Sequence, residues 1–136
     1  MPADKAPAPR IDAVRRSFAR QGFMAHLGAK LVRIGHGTVE IRLPRRPELL
    51  QQHGYFHGGA IATIADVAGG YAAYSLMDDD DSVLTVEFKL NLIAPGDGRE
   101  LRARGHVIRS GRTLTVTRAD VFAVKNGHEI LCATAL

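Results

Sequence analysis

The stretch Gln51-Gln52-His53-Gly54-Tyr55-Phe56-His57-Gly58-Gly59 leads directly into an apolar run from Ala60 to Met77 that contains one carboxylate, Asp66. Apolar residues in this run are not confined to one stripe, which predicts a helix that is buried on nearly all sides. Such a helix needs a surface that curves around it, and one antiparallel sheet wrapped around the helix is the simplest solution. This stretch therefore predicts the arrangement of the whole domain.

The flanking sequence predicts one short helix and six strands. Ile11, Val14 and Phe18 recur at helical spacing, and Gly22 marks the predicted end of that helix. The strand segments alternate polar and apolar residues or are rich in β-branched residues, with glycine, proline or Asn-Gly turns between them. Their predicted ranges are 29–34, 38–43, 83–92, 101–109, 113–124 and 130–136. The order of elements predicts an α+β fold.

Length and composition fit one domain. The chain has 136 residues, of which 46% are hydrophobic, so it has material for one real core and no room for two domains. We predict a flexible leader at residues 1–10 and a single folded domain at residues 11–136. The one cysteine, Cys132, excludes an intramolecular disulfide, and the N-terminal residues do not resemble a secretion signal, so we predict a cytoplasmic location.

The start of the central helix has the features of a site that polarises a carbonyl group. Gly58 and Gly59 allow close backbone approach, and a free N–H group at a helix N-terminus stabilises a developing negative charge. Asp66 lies about two turns further on, and a carboxylate in an apolar helix is costly unless it has a purpose. These residues predict attack on a carbonyl carbon, with Asp66 acting as general base or as nucleophile.

The Gly54-x-x-His57-Gly58-Gly59 loop, followed nine residues after the histidine by Asp66, resembles the hotdog-fold acyl-CoA thioesterases, and most closely the phenylacetate-degradation type. The resemblance covers nearly all of the chain from about residue 27 and includes the segments 84–95 and 110–114. It implies a hotdog fold, in which an antiparallel sheet of five or six strands wraps around the central helix. It also implies a homodimer, often paired into a homotetramer, with active sites at the dimer interface.

The resemblance assigns roles to individual residues. Asp66 matches the catalytic carboxylate, Gly58 the residue whose N–H group polarises the thioester carbonyl, and His57 the loop histidine beside it. Thr85 matches a serine or threonine position that steadies the attacking water. In the dimer, Asp66 is expected to face the Gly58 loop of the other subunit. Many relatives have asparagine six residues before the histidine, where this chain has Gln51; its amide is a plausible second donor to the carbonyl, and Gln52 is an alternative.

The expected substrate, acyl-CoA, also predicts binding residues. Coenzyme A is a polyanion at its nucleotide end, and Arg109 and Arg112 bracket a tight turn where they can reach its phosphates. The other predicted substrate-binding residues are Gly59, Lys89, Gly111 and Thr113. The acyl group is expected in an apolar pocket between subunits, lined by Phe56, Tyr71 and Tyr74. The paired glycines Gly69 and Gly70 are interpreted as permitting close packing.

Other classes of function fit less well. The main hypothesis is an acyl-CoA thioesterase without cofactor or metal, since coenzyme A is part of the substrate; the alternative is a non-catalytic protein that binds acyl-CoA or lipid. The net charge of +4 allows nucleic acid as a partner, but the arginines are dispersed, so none is predicted. An aspartate and two adjacent glycines within the apolar helix argue against a membrane span. His53 and His57 are four residues apart without a zinc-protease pattern, so no metal is predicted.

Overall fold

The computed structural model describes residues 6–136 and contains three α-helices and six strands in that range. The helices are α1 (Ala8–Ala19), α2 (Gly22–Leu27) and α3 (Gly58–Tyr74), with a short 3-10 helix at Pro47–Leu49. The strands are β1 (Lys30–Gly35), β2 (Thr38–Pro44), β3 (Leu90–Leu92), β4 (Glu100–Ser110), β5 (Thr115–Lys125) and β6 (His128–Ala135). The predicted α+β order is thus confirmed, with one additional helix.

All six strands form one antiparallel sheet in the order β1-β2-β4-β5-β6-β3, which curves around α3. The sheet and the helix approach closely because small residues meet between them. A β-carbon built on Gly105 of β4 would lie 2.3 Å from the carbonyl oxygen of Ala68. Buried aliphatic side chains from both layers, such as Ile64 of α3 and Leu101 and Val121 of the sheet, form the core.

One side of α3 is not covered by the sheet. Its buried residues face β2, β4 and β5, whereas Thr63, Asp66, Gly70 and Tyr74 are only partly buried and follow one another at helical spacing. The prediction that the helix is buried on nearly all sides is therefore wrong for this stripe. The reason is that the sheet has an open edge next to the stripe.

That edge is formed by the chain before β3. Residues 83–92 were predicted as one strand, but only Leu90–Leu92 pair with β6, and the last backbone hydrogen bonds join Lys89 to Leu136. We call residues 83–89 the edge segment. Within residues 6–136, no strand pairs with it beyond Lys89, since β6 ends at Ala135. Leu84 and Val86 are consequently 89% and 79% exposed.

The N-terminal part differs from the prediction. Helix α1 begins at Ala8 and not at Ile11, so the predicted leader includes its first turn; residues 1–5 of that leader lie outside the described range. Gly22 does not end α1 but opens α2, which was not predicted. The glycine that terminates a helix here is Gly28, whose φ of 79° is left-handed. Of the described helices, none is long and apolar enough to cross a membrane.

Candidate active site

A tight turn precedes α3 and is organised by Gln51. Its backbone N–H donates to the carbonyl of Tyr55 at 2.9 Å, and its side-chain oxygen accepts from the N–H groups of His53 at 2.6 Å and Tyr55 at 3.3 Å. The oxygen end of the amide is therefore engaged within the loop. The amide nitrogen has no hydrogen-bond acceptor within the described chain, so it is available as a donor.

His57 caps the N-terminus of α3. Its Nδ1 accepts a hydrogen bond from the N–H of Gly59 at 2.8 Å, which requires the ring to carry its proton on Nε2. The N–H of Gly58 donates to no group of residues 6–136. The loop thus leaves one free donor at the helix start, where the peptide dipoles favour negative charge. Histidine is not a typical N-cap residue, so residue type alone did not predict this role.

Asp66 and Thr85 form a hydrogen bond between the helix and the edge segment. The Thr85 hydroxyl donates to Oδ1 of Asp66 at 2.7 Å, although the two residues are 19 positions apart. The second carboxylate oxygen, Oδ2, accepts no hydrogen bond within the described range. The structure therefore brings two predicted site residues together, and it does so on the partly exposed stripe of α3.

The edge segment and β3 run along this stripe from one end to the other. A β-carbon on Gly58 would lie 3.4 Å from Cδ1 of Leu92, while one on Gly70 would lie 3.9 Å from Cγ1 of Val83. The start of α3 is therefore next to β3, and Asp66 is next to the middle of the edge segment. This arrangement places both the free N–H and the carboxylate at the open edge of the sheet.

Gly58 and Asp66 of one chain do not converge on a common point. They are eight residues apart on the same helix, which separates them by about 12 Å along its axis. A single carbonyl group bound to Asp66 is therefore out of reach of the Gly58 N–H of the same chain. A site that uses both groups needs the Gly58 of a second copy.

The predicted coenzyme A residues lie on exposed surfaces. Arg109 is at the end of β4 and Arg112 in the following turn, which is closed by a 2.9 Å hydrogen bond from the Gly111 N–H to the carbonyl of Leu114. Lys89 ends the edge segment, and Thr113 is exposed in the same turn as Arg112. None of the three cations has an ion-pair partner among residues 6–136, so all are free to bind anions. The Gly59 N–H, by contrast, is already bound by His57.

The residues predicted to line the acyl pocket contact other parts of the same chain. Phe56 is buried beneath Gly96, and the Tyr71 hydroxyl is bound to Ser17 at 3.0 Å and to Gln21 at 2.9 Å beneath α1. Tyr74 carries the guanidinium of Arg10 on its ring, 4.7 Å from the centroid. Within the single chain, Tyr71 and Tyr74 are thus covered by the N-terminal part and Phe56 by the loop that contains Gly96, and a pocket between subunits stays a prediction.

A concave surface also lies away from the edge segment. A surface depression of about 520 Å³ lies between the β5–β6 turn and the loop before β4, and contains none of the predicted residues. Its charged lining residues are Arg45, Asp97, Arg99 and Lys125. Within residues 6–136, no group of three histidine, cysteine or acidic side chains is placed to hold a metal ion.

The chain is similar to known proteins over most of its length. Residues 53–130 match the model of the thioesterase superfamily. The structure of a thioesterase family protein from Silicibacter pomeroyi matches with a TM-score of 0.91 at 45% identity, covering 93% of both chains. The PaaI protein of the E. coli phenylacetic acid degradation operon matches in fold, with a TM-score of 0.81 at 18% identity, covering 93% of this chain and 88% of that one. A Saccharolobus solfataricus protein named as an esterase is 31% identical over 81% of this chain and 79% of its own length.

A six-stranded antiparallel sheet around one helix is the hotdog fold, as the resemblance implied. The chain belongs to the thioesterase superfamily, and it is accordingly a thioester hydrolase. The predicted family, fold class and enzyme class are thereby confirmed. The substrate class is a thioester, and the family alone specifies neither its acyl group nor its thiol.

Proposed function

We propose that the protein is an acyl-CoA thioesterase in which Asp66 activates water and the Gly58 N–H of a second copy stabilises the oxyanion. The observation that carries the proposal is the Asp66–Thr85 hydrogen bond beside an open sheet edge, with a free N–H at the start of the same helix. Each group has a part in the hydrolysis of a thioester, and no cofactor or metal enters the reaction.

The oxyanion is stabilised by the helix start. When water adds to the thioester carbon, the carbonyl oxygen becomes negative, and a donor fixed in advance at that position lowers the barrier. The Gly58 N–H is such a donor, because the cap made by His57 holds the first turn and engages the neighbouring Gly59 N–H. The Gln51 amide nitrogen is a second donor on the same loop.

Asp66 removes the proton of the attacking water. The water oxygen forms a bond to the carbonyl carbon, its proton moves to the carboxylate, and the C–S bond then breaks to release the thiolate, which takes up a proton. The products are a free acid and coenzyme A. Thiols have a pKa of about 8.5 and leave readily, so no strong general acid is required. Thr85 holds the carboxylate through Oδ1, which leaves Oδ2 for the water.

The second copy is expected at the edge segment. From Val83 to Phe88 its backbone groups have no hydrogen-bond partner among residues 6–136. An exposed apolar edge of this kind is stabilised by pairing with another strand. Antiparallel pairing of two copies centred near Phe88 would carry Leu92, and with it Gly58, toward the Thr85 and Asp66 of the other copy. Hotdog thioesterases are generally oligomeric, which supports a homodimer, and the further pairing into a homotetramer remains part of the proposal.

The coenzyme A part is assigned to three free cations, of which Lys89 lies on the edge segment and the other two at the turn between β4 and β5. Arg109, Arg112 and Lys89 are exposed and unpaired within the described range, and they suit the phosphates of the nucleotide. Gly111 shapes the turn that carries Arg112.

We retain the cytoplasm as the proposed location, in keeping with a buried free thiol at Cys132.

Release of free thiol from acyl-CoA tests the proposal. Wild-type protein is expected to turn over at least one of acetyl-, hexanoyl- and benzoyl-CoA, and Asp66→Asn to lose at least 100-fold in kcat because the proton acceptor is gone. Asp12→Asn, which removes an exposed carboxylate of α1 away from Asp66 and the edge segment, serves as the matched control and should retain full activity. Burial raises the pKa of the Cys132 thiol to about 11, so this cysteine should not react with the thiol reagent.

Two outcomes would contradict the proposal. Equal rates for wild type and Asp66→Asn on every substrate would exclude Asp66 as the base or nucleophile. Tight binding of the acyl-CoA panel without any thiol release, measured by calorimetry, would instead establish the non-catalytic acyl-CoA-binding alternative.

A further inference from the structure

Two adjacent glycines of α3 have different surroundings. A β-carbon on Gly69 would lie 2.7 Å from Oγ1 of Thr117, so close packing against β5 requires a glycine there, as predicted. A β-carbon on Gly70 would meet only Cγ1 of Val83, at the ordinary contact distance of 3.9 Å. The interpretation that both glycines permit close packing is thus confirmed for Gly69 and wrong for Gly70.

The backbone does not require glycine at position 70 either. Gly70 lies within α3 and is not among the residues with positive φ. A glycine in a helix interior is less stable than an alanine, because it loses more backbone freedom on folding. Neither packing within the chain nor helix geometry therefore explains the missing side chain, and a small space stays open on this side of the helix.

The space lies next to the proposed catalytic carboxylate. Gly70 follows Asp66 by four residues, so the two occupy the same face about 6 Å apart along the axis. The neighbours across the gap are Val83, beside Gly70, and Thr85, beside Asp66. A group bound to the reacting carbonyl at Asp66 reaches this space without passing any other side chain of the stripe.

We propose that the space left by Gly70 receives the acyl group of the substrate, so that residue 70 limits the bulk that the enzyme accepts next to the reacting carbonyl. This inference rests on the proposed thioesterase function. The space is bordered by a glycine and a valine, which suit hydrocarbon. The pantetheine arm of coenzyme A contains two amides that would lose hydrogen bonds there. The space therefore suits the hydrocarbon part of the acyl group and not the pantetheine arm.

Substitutions that fill the space in steps test the inference. The measured quantity is the ratio of kcat/KM for benzoyl-CoA and hexanoyl-CoA to that for acetyl-CoA. We expect both ratios to fall about threefold in Gly70→Ala and at least tenfold in Gly70→Leu, because the larger acyl groups lose room first. Gly69→Ala is the matched control, which should lower the melting temperature through its clash with Thr117 while leaving the ratios as in wild type.

The outcomes separate this inference from the proposed function. A wild-type protein that hydrolyses none of the three substrates contradicts the thioesterase proposal itself. An active wild type whose substrate ratios are unchanged in Gly70→Ala overturns the inference alone, and this variant decides the matter even where Gly70→Leu does not fold. A second result would also overturn the inference. If light scattering shows that Gly70→Ala turns a dimer into a monomer, the space belongs to the contact between subunits and not to the substrate.

Discussion

At the level of single residues, the exposure and orientation of the Asp66 carboxylate depend on its neighbours in the fold. The helix that carries Asp66 was predicted to be buried on nearly all sides, whereas the structure places Asp66 on a partly exposed stripe with one oxygen held by Thr85 at 2.7 Å. A hydrogen bond to a charged acceptor fixes the direction of the carboxylate more firmly than one to a neutral acceptor. The position of the free oxygen Oδ2 therefore depends on a hydroxyl that comes from a different part of the chain.

Removing that hydroxyl should reduce catalysis with little effect on folding. Thr85→Val deletes a hydrogen bond to a charged group, which is worth about 1.5–3 kcal/mol, so kcat/KM should fall roughly 10- to 100-fold. Thr85 is exposed in the chain, so far-ultraviolet circular dichroism should not change. Thr85→Ser keeps the hydroxyl and should stay within about threefold of wild type; a fully active Thr85→Val would contradict the assigned role.

At the scale of elements, the outer face of the sheet is held together by Arg104. This residue of β4 donates to Glu40 of β2 at 2.7 Å and, across β5, to both oxygens of Glu129 of β6 at 2.6 and 2.7 Å. Its guanidinium also lies 4.8 Å from the ring centroid of Phe122. Arg104 thus links its own strand, β4, to β2 and also to β6, which does not pair with β4. Its hydrogen bond to Glu129 lowers the pKa of that carboxyl group.

The lowered pKa of Glu129 predicts how the stability of this face depends on pH. A carboxylate with a lower pKa in the folded state contributes stability above its unfolded pKa, and this contribution is lost as the pH falls through the folded value. Arg104→Gln should therefore lower the free energy of unfolding at pH 7 by about 1 kcal/mol or less, since the pair is partly solvated. In urea titrations the difference from wild type should shrink below pH 4.5, the ordinary pKa of glutamate.

Asp12→Asn, which removes an exposed acid of α1 outside both the Arg104 cluster and the edge segment, is the matched control for this prediction. Any difference between its free energy of unfolding and that of wild type should be the same at pH 7 and at pH 4. A destabilisation by Arg104→Gln that is the same at pH 7 and at pH 4 would indicate lost packing against Phe122 in place of the lost ion pair.

At the scale of the whole molecule, a single chain contains the parts of the site without assembling them. Gly58 and Asp66 are about 12 Å apart along one helix, so the proposed reaction needs a second chain. The edge segment offers unpaired backbone and exposed apolar side chains where that chain would pair. Catalysis and association are therefore expected to depend on the same surface.

Charges on the edge segment should abolish both properties together. The double variant Leu84→Lys, Val86→Lys places two cations on an edge that must pair with itself, so we expect a monomer by light scattering and at least a 100-fold loss of thioesterase activity. Val32→Lys is the matched control, because Val32 is 47% exposed on β1 at the opposite edge of the sheet. An active monomer of the double variant would contradict a site shared between subunits.

The elements that were predicted correctly are those whose signals are local in the amino-acid sequence. The apolar run of α3, the alternation along β2 and the Asn-Gly turn before β6 each depend on residues close together in the chain, so their positions were predicted within a few residues. The glycine-rich start of α3 and the acid that follows it are also local, and they sufficed to indicate the family.

Which surfaces are covered could not be predicted in this way, because it depends on contacts between distant segments of the folded chain. Helix α1 packs over Tyr71 through Ser17 and Gln21, Thr85 reaches Asp66, and the sheet ends before it covers the stripe around Gly70. Each of these contacts joins residues that are distant in the chain, and periodicity reports only whether a face is apolar, not what lies against it. The candidate site depends on such distant contacts, because it lies on the part of α3 that the sheet does not cover.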